Sequence, residues 1–537
     1  MVLLEWLGLP DPWTPPREDL ERTLDRFLQL EKVFPMDEYI SGWFFGTPFE
    51  QVPKENVLEY VSYGMLYKRL REATPAERKL LEDFLVRVEE RWDRGHDPSL
   101  RFMEHIFEPL RVHHKPLVSY LGAELAARAA HALLWYQGFG QSWCEGFSVW
   151  HLPPRPAAGA RPETPATAAL DVTLDLASMA TAAMSAQYPH AQQQYHMPVE
   201  TPRRPRTLSP SPVRRNSGLR RRSAPHAFET ALGNAGGFSD SEWDDVAGDV
   251  AGAPAGGDEP LPVCPPIERS YDAAPRQTSF SEDARRSVAS PGALQKALPA
   301  LRRLRRGQLP IVFLHGVGFG VLPYLHFLRN IVLRFPAHPV LLVEVPHVAL
   351  RLCPEAVAVD EVARGVRAAL AARGYEEAVV VGHSYGTFVA SRFVQLYPEC
   401  VHALALLDPV CMLICYPQLL HNFIYRQPTR ANFSSVAGAL DLVRFVCSRD
   451  LTISQAFCRK FRWSELNLWP EDLPSRAVVV LAARDDLVPA ALVQTQLEAA
   501  QHPARVLLHP ELGHGGLLLV NHWQTQILDA LSDVLEE

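Results

Sequence analysis

A serine, an acid and a histidine occur at three points where the local sequence would hold each at the end of a strand. The serine lies in Ala378-Val379-Val380-Val381-Gly382-His383-Ser384-Tyr385-Gly386. Three consecutive valines suit a parallel strand covered on both faces, and Phe388–Phe393 can continue as a helix. A sharp strand-to-helix turn puts the residue at the bend at positive φ, a strain of about 1–3 kcal/mol that persists where it has a use. Gly382 and Gly386 fit there because a Cβ at either place would meet the neighbouring strand or helix. Ser384 is then lifted clear of the backbone, above a helix N-terminus that favours developing negative charge. Gly-x-Ser-x-Gly alone is a weak signal. Its place between a β-branched run and a helix gives it weight, and the chemistry it offers is nucleophilic attack on an acyl carbon.

A serine hydroxyl needs a base within hydrogen-bond reach and a third group to fix that base's tautomer. In a parallel sheet these should follow in the order acid, then histidine, each past a strand end. Val480-Leu481-Ala482-Ala483-Arg484-Asp485-Asp486-Leu487-Val488-Pro489 leaves a buried run at two acids. Asp485, four residues before the proline, is preferred to Asp486. His514, between Gly513 and Gly515 and ahead of a helical stripe, is preferred as base to His509, which sits at the strand end. The oxyanion requires preorganised N–H groups. The Tyr385 amide is one candidate, and the Val317 amide in the glycine-rich His315-Gly316-Val317-Gly318 loop is the other. His315 itself reads as a structural loop histidine.

The elements that must position these groups alternate from about Gln308 onward, the pattern of a mostly parallel α/β sheet. Strand-like runs are 310–314, 340–345, 378–381, 403–407, 477–482 and 505–508. Helical stripes lie near 321–335, 354–373, 386–397, 490–501 and 516–537. A long excursion, about 410–474, carries Phe423, Phe457, Phe461, Trp463 and Trp469 among helical patterns and reads as a lid over an apolar substrate. Residues 1–152 read as an α-helical domain. Its clearest start signal is Thr74-Pro75-Ala76-Glu77, a capping box with proline at the first helical position. Residues 153–301 lose their large apolar side chains and read as a disordered linker rich in Pro, Ala, Ser and Arg. The catalytic domain would be 302–537.

Within the linker, serines 217, 223 and 287 each follow two arginines. Arg220-Arg221-Arg222-Ser223-Ala224-Pro225 would suit a phosphoserine-binding adaptor once modified. A net charge of −8 over 537 residues argues for no nucleic-acid partner. The eight cysteines lack any C-x-x-C pair and read as reduced thiols of an intracellular protein. No basic leader opens the chain. Pro116–Gly140 is the most apolar stretch, but Glu124, Arg128 and His131 interrupt it, so a helix packed in a core or lying on a membrane is expected there, not a span. The protein is therefore expected in the cytoplasm or peripherally on a membrane. No metal or organic cofactor is needed.

Taken together, Gly382-His383-Ser384-Tyr385-Gly386, the His315-Gly316 loop, Asp485 with Val488-Pro489, and Gly513-His514-Gly515 resemble the α/β-hydrolase superfamily over about residues 308–537. The resemblance implies an α/β-hydrolase fold with a helical lid, and a serine hydrolase acting on an ester, thioester or amide. The glycine usual three residues before the acid is Ala482 here. A carboxylate at the elbow, as dehalogenases and epoxide hydrolases need, is absent. Trp43-Phe44-Phe45-Gly46-Thr47-Pro48, Lys54-Glu55-Asn56-Val57 and Phe461-Arg462-Trp463-Ser464-Glu465 further resemble a little-characterised group known mainly from fungal and algal sequences. Its members tend to carry an N-terminal helical region, sometimes membrane-associated. Acyl transfer on the same fold, or a non-catalytic scaffold regulated through the linker, are the alternative expectations.

Overall fold

The computed structural model describes residues 14–88, 92–113, 115–144, 146–154, 309–428 and 436–536. The arginine-rich run and serines 217, 223 and 287 lie outside them, as does most of the expected linker.

Eight strands form one sheet: β1 (Gly140–Cys144), β2 (Phe147–Leu152), β3 (Ile311–Leu314), β4 (Val340–Glu344), β5 (Ala378–His383), β6 (Val401–Leu407), β7 (Ala477–Ala482) and β8 (Arg505–His509). Their order is β1-β2-β4-β3-β5-β6-β7-β8. From β4 to β8 every pairing is parallel. β1 and β2 form a hairpin that joins antiparallel to β4. The sheet is central and each residue's neighbour points to the opposite face. Val380 of β5 and Val312 of β3 pack in one core, while Val379, Val381 and Phe313 pack in the other. This is why those strands read as unbroken apolar runs.

Among the described residues, the α-helices of two turns or more are α1 (Arg17–Leu28), α2 (Met36–Trp43), α3 (Lys54–Leu66), α4 (Pro75–Arg87), α5 (Leu117–Tyr136), α6 (Leu325–Arg334), α7 (Val359–Ala371), α8 (Tyr385–Leu396), α9 (Val436–Ser448), α10 (Leu451–Cys458), α11 (Ala490–Ala499) and α12 (Asn521–Glu536). The expected capping box opens α4: Glu77 N–H donates to Thr74 Oγ1 at 3.2 Å and Thr74 N–H to Glu77 Oε2 at 2.8 Å.

Two features differ from the sequence reading. Gly140–Leu152, expected inside a helical domain, supplies the two antiparallel strands at one edge of the sheet. Gly146, at φ +77, closes the hairpin turn between them. The N-terminal helices also share one core with the 410–474 excursion. Trp43 Nε1 donates to the Cys415 carbonyl at 2.9 Å, and Trp463 Nε1 to the Gly64 carbonyl at 2.5 Å. Arg26 grips Asp472 bidentately at 3.0 Å. A Cβ on Gly42 would lie 2.5 Å from Pro417 Cγ, so α2 and the excursion touch at backbone distance. The helical region and the excursion therefore bury their apolar side chains in one shared core.

Candidate active site

β5 ends in the bend the sequence demands. Ser384 has φ 50 and ψ −122, directly before α8. Its N–H donates to Leu407 O at 3.0 Å, tying the bend to β6. A Cβ on Gly386 would lie 2.2 Å from Leu314 O, and one on Gly382 2.9 Å from Gly386 O. Both glycines are therefore fixed by close backbone approach.

Ser384, His514 and Asp485 converge from three strand ends. His514 Nε2 is 2.8 Å from Ser384 Oγ, and His514 Nδ1 donates to Asp485 Oδ2 at 2.8 Å. The other Asp485 oxygen accepts the Leu487 and Val488 amides at 2.8 and 2.9 Å, which fixes the carboxylate plane. Asp486 faces away and pairs with Arg426 at 2.9 Å and with Arg444. Burial opposes charge on Asp486, but those two guanidinium groups outweigh it and hold its carboxyl below the usual range. His509 Nδ1 accepts the Glu511 and Leu512 amides at 3.2 Å, shaping the loop that carries His514. His315 Nε2 accepts the Val345 amide at 2.9 Å, a structural role.

The loop after β3 lies against the serine. A Cβ on Gly316 would sit 2.9 Å from both Ser384 Cβ and Tyr324 Oη, and Val317 follows directly. Tyr385 is the first residue of α8, so its N–H is among those a helix leaves without an internal partner.

Three neighbours were not anticipated: Tyr324, His383 and Asp408. The Gly316 amide donates to Tyr324 Oη at 2.9 Å, and Tyr324 Oη lies 2.7 Å from His383 Nδ1. With a carboxylate beside the other ring nitrogen, Tyr324 donates its proton to Nδ1 and the His383 proton belongs on Nε2. That atom faces Asp408 Oδ2 at 3.4 Å, off the line of a full hydrogen bond. The same carboxylate oxygen accepts the Gly515 amide at 2.8 Å. The network therefore links the Gly316 loop to the His514 loop beneath the serine. Asp408 follows β6 at φ 46, as Ser384 follows β5; an acid leaving a buried strand was the available signal.

Burial works against charge on His514, but Asp485, then Asp408 and Asp486, outweigh it and raise the imidazole to about 9. Burial likewise opposes charge on Asp408; contact with His383 and His514 and the Gly515 amide keep its carboxyl below the ordinary range. Among the described residues, Asp408, Asp485 and His514 are the one set whose donor atoms, all within 4.8 Å of one another, could share a cation. Those oxygens already accept from the imidazole and backbone amides, so hydrogen bonding accounts for the clustering.

Aromatic rings of the excursion pack against the first turn of α8. Phe457 meets Tyr385 at 5.9 Å, Phe388 at 6.2 Å and Phe423 at 4.5 Å between centroids.

A family model described as "Alpha/beta hydrolase family" matches residues 311–530. That stretch has the sheet order and elbow of the α/β-hydrolase fold. Solved structures similar to the chain include an alpha/beta hydrolase enzyme from a Medee basin deep-sea metagenome library. It is 15% identical with TM-score 0.31, covering 42% of this chain and 90% of that one. A thermophilic esterase from Thermogutta terrifontis is 14% identical with TM-score 0.33, covering 42% and 90%. A putative aryl esterase from Burkholderia cenocepacia is 17% identical with TM-score 0.32, covering 43% and 93%. No curated protein matches the chain.

Proposed function

We propose that the protein is a serine hydrolase that cleaves a carboxylic ester, thioester or amide of an apolar acyl substrate through an acyl-Ser384 intermediate. Neutral His514 Nε2 takes the Ser384 proton as Oγ attacks the carbonyl carbon. The Tyr385 and Val317 amides meet the resulting oxyanion. The tetrahedral intermediate collapses and His514 returns the proton to the leaving group. His514 then draws a proton from water, which attacks the acyl carbon and frees Ser384. Asp485 holds the imidazole with its proton on Nδ1 throughout.

The observation that carries this reading is the unbroken chain Ser384 Oγ–His514–Asp485, with both links at 2.8 Å. The apolar acyl group is argued from the apolar character of the 410–474 excursion, whose Phe423 and Phe457 pack together beside Tyr385, the residue after the nucleophile. The test is turnover of p-nitrophenyl esters of increasing chain length by the wild type and by Ser384→Ala. Turnover should favour the longer chains and fall by several orders of magnitude in the variant. Equal rates from both proteins would refute the assignment of Ser384.

A further inference from the structure

Tyr324 ends a short 3₁₀ turn, Leu322–Tyr324, that leads into α6. It is buried, and its ring packs on Phe313 of β3 at 5.3 Å between centroids and on His383 at 5.5 Å. Burial raises the phenol and keeps it protonated. The hydroxyl accepts the Gly316 amide at 2.9 Å and lies 2.7 Å from His383 Nδ1. A Cβ on Gly316 would lie 3.1 Å from that same Nδ1 and 2.9 Å from Ser384 Cβ. Loop backbone, phenol and imidazole therefore meet directly against the serine.

The loop has three consecutive amides at Gly316, Val317 and Gly318. The first is taken by Tyr324 Oη, and the third donates to Val348 O at 3.0 Å. The Val317 N–H between them has no acceptor among the described residues. Its direction is set from the far side of its own peptide group. His315 Nε2 accepts the Val345 amide at 2.9 Å, so the ring proton is on Nδ1, which donates to Gly316 O at 2.8 Å. In a trans peptide the Val317 N–H points away from that carbonyl. Donation into the carbonyl also polarises the N–H at the other end of the unit. An oriented N–H without a partner, beside a serine at positive φ, is what a developing oxyanion requires.

We infer that Tyr324 is a positioning residue of the oxyanion hole: its hydroxyl occupies the Gly316 amide and so leaves the neighbouring Val317 amide to meet the charge that develops on the substrate. The role presupposes the acyl-Ser384 chemistry proposed above. Tyr324→Phe keeps the packing of the ring but frees the Gly316 amide, and the loop loses the contact that sets its distance from Ser384.

The experiment compares the full chain with Tyr324→Phe and with Tyr63→Phe. Tyr63 is the matched control. It is equally buried, and its Oη lies 2.7 Å from a histidine Nδ1, that of His105, in the N-terminal helical region. Three quantities are measured. They are kcat and KM for a soluble p-nitrophenyl ester, the Kd of phenylboronic acid, and hydrogen exchange of the peptide spanning Gly316 and Val317. The boronic acid is chosen because one oxygen of its tetrahedral serine adduct takes the oxyanion position. Tyr324→Phe should lower kcat about 10–100-fold, part of the roughly 10²–10³-fold that loss of a whole oxyanion donor costs, with KM little changed. Its Kd for the boronic acid should rise by a similar factor, and the loop peptide should exchange faster. Tyr63→Phe should lower the melting temperature as Tyr324→Phe does and leave the three quantities at their wild-type values. A Tyr324→Phe protein whose kcat stays at the wild-type value, or falls only as far as that of Tyr63→Phe, overturns the inference. So does faster loop exchange with unchanged affinity for the boronic acid. Wild type that neither turns over the ester nor binds the boronic acid removes the hydrolase reading itself, and the positioning role with it.

Discussion

Asp408→Asn removes one negative charge beside His514 and keeps a side chain of nearly the same shape. The asparagine carbonyl can still accept the Gly515 amide that Asp408 accepts at 2.8 Å. What disappears is field. Nearest donor atoms of Asp408 and His514 lie within 4.8 Å, and at that separation a unit charge is worth roughly 3 kcal/mol at an effective dielectric of 20. Part of it is already neutralised by the His383 contact and the Gly515 amide, so a fall of about 1–2 pKa units is expected. The wild-type imidazole is held at about 9, and only its neutral form can take the Ser384 proton. The kcat/KM of wild type should therefore rise with pH and level off above about 9. In Asp408→Asn the rise should end about 1–2 units lower, leaving the variant faster near neutrality, with its plateau within about tenfold of wild type. The assay is kcat/KM for a soluble p-nitrophenyl ester over roughly pH 5 to 10. A limb that does not move would show that His514 does not feel this charge. A plateau that falls by orders of magnitude would show that Asp408, not Asp485, orients the base. The linkage has a matching sign: a histidine raised above its unfolded value of 6.5 contributes stability below that pH. The contribution is lost as pH rises through about 9, so the melting-temperature gap between wild type and Asp408→Asn should narrow at high pH.

Asp485→Asn should lower kcat about 10⁴-fold by releasing the wrong imidazole tautomer, whereas Asp486→Asn, whose partners are Arg426 and Arg444, should cost less than about tenfold; steady-state kinetics of the two variants side by side decides which carboxylate serves. Gly316→Ala puts a methyl group 2.9 Å from Ser384 Cβ and Tyr324 Oη. It should displace the Val317 amide and lower kcat by about 10²–10³-fold while KM changes little. Thr74→Ala removes the cap on α4 and should cost about 1 kcal/mol, read as a shifted midpoint in urea unfolding with activity at low denaturant unchanged.

The parallel strands were legible because burial on both faces leaves them no polar positions, as in Val379-Val380-Val381. The hairpin at 140–152 was not, because β1 is largely exposed at the sheet edge and carries Gly, Gln and Ser beside Trp143. Its signal was the short Glu145-Gly146 spacer between aromatic-containing runs, which is weaker than the helical stripe preceding it. α5 was correctly set apart as an interrupted apolar stretch, yet no pattern said that alanine would face inward and leucine outward. That choice comes from the close fit against β4 and the loops beyond it. Ser384, Asp485 and His514 could be read because each sits at a strand end with its own turn chemistry. Tyr324 and His383 could not, since their partnership exists only across 59 residues of chain, through a contact made by the folded sheet edge.

The central claim is that the Ser384 hydroxyl is the activated nucleophile, and covalent capture tests it most directly. Incubation of the full chain with a fluorophosphonate, followed by intact mass and peptide mapping, should place one phosphonyl adduct on the peptide containing Gly382–Gly386. Ser384→Ala and His514→Ala should both stay unlabelled. Labelling of wild type at another residue, or equal labelling of the Ser384→Ala protein, would contradict it.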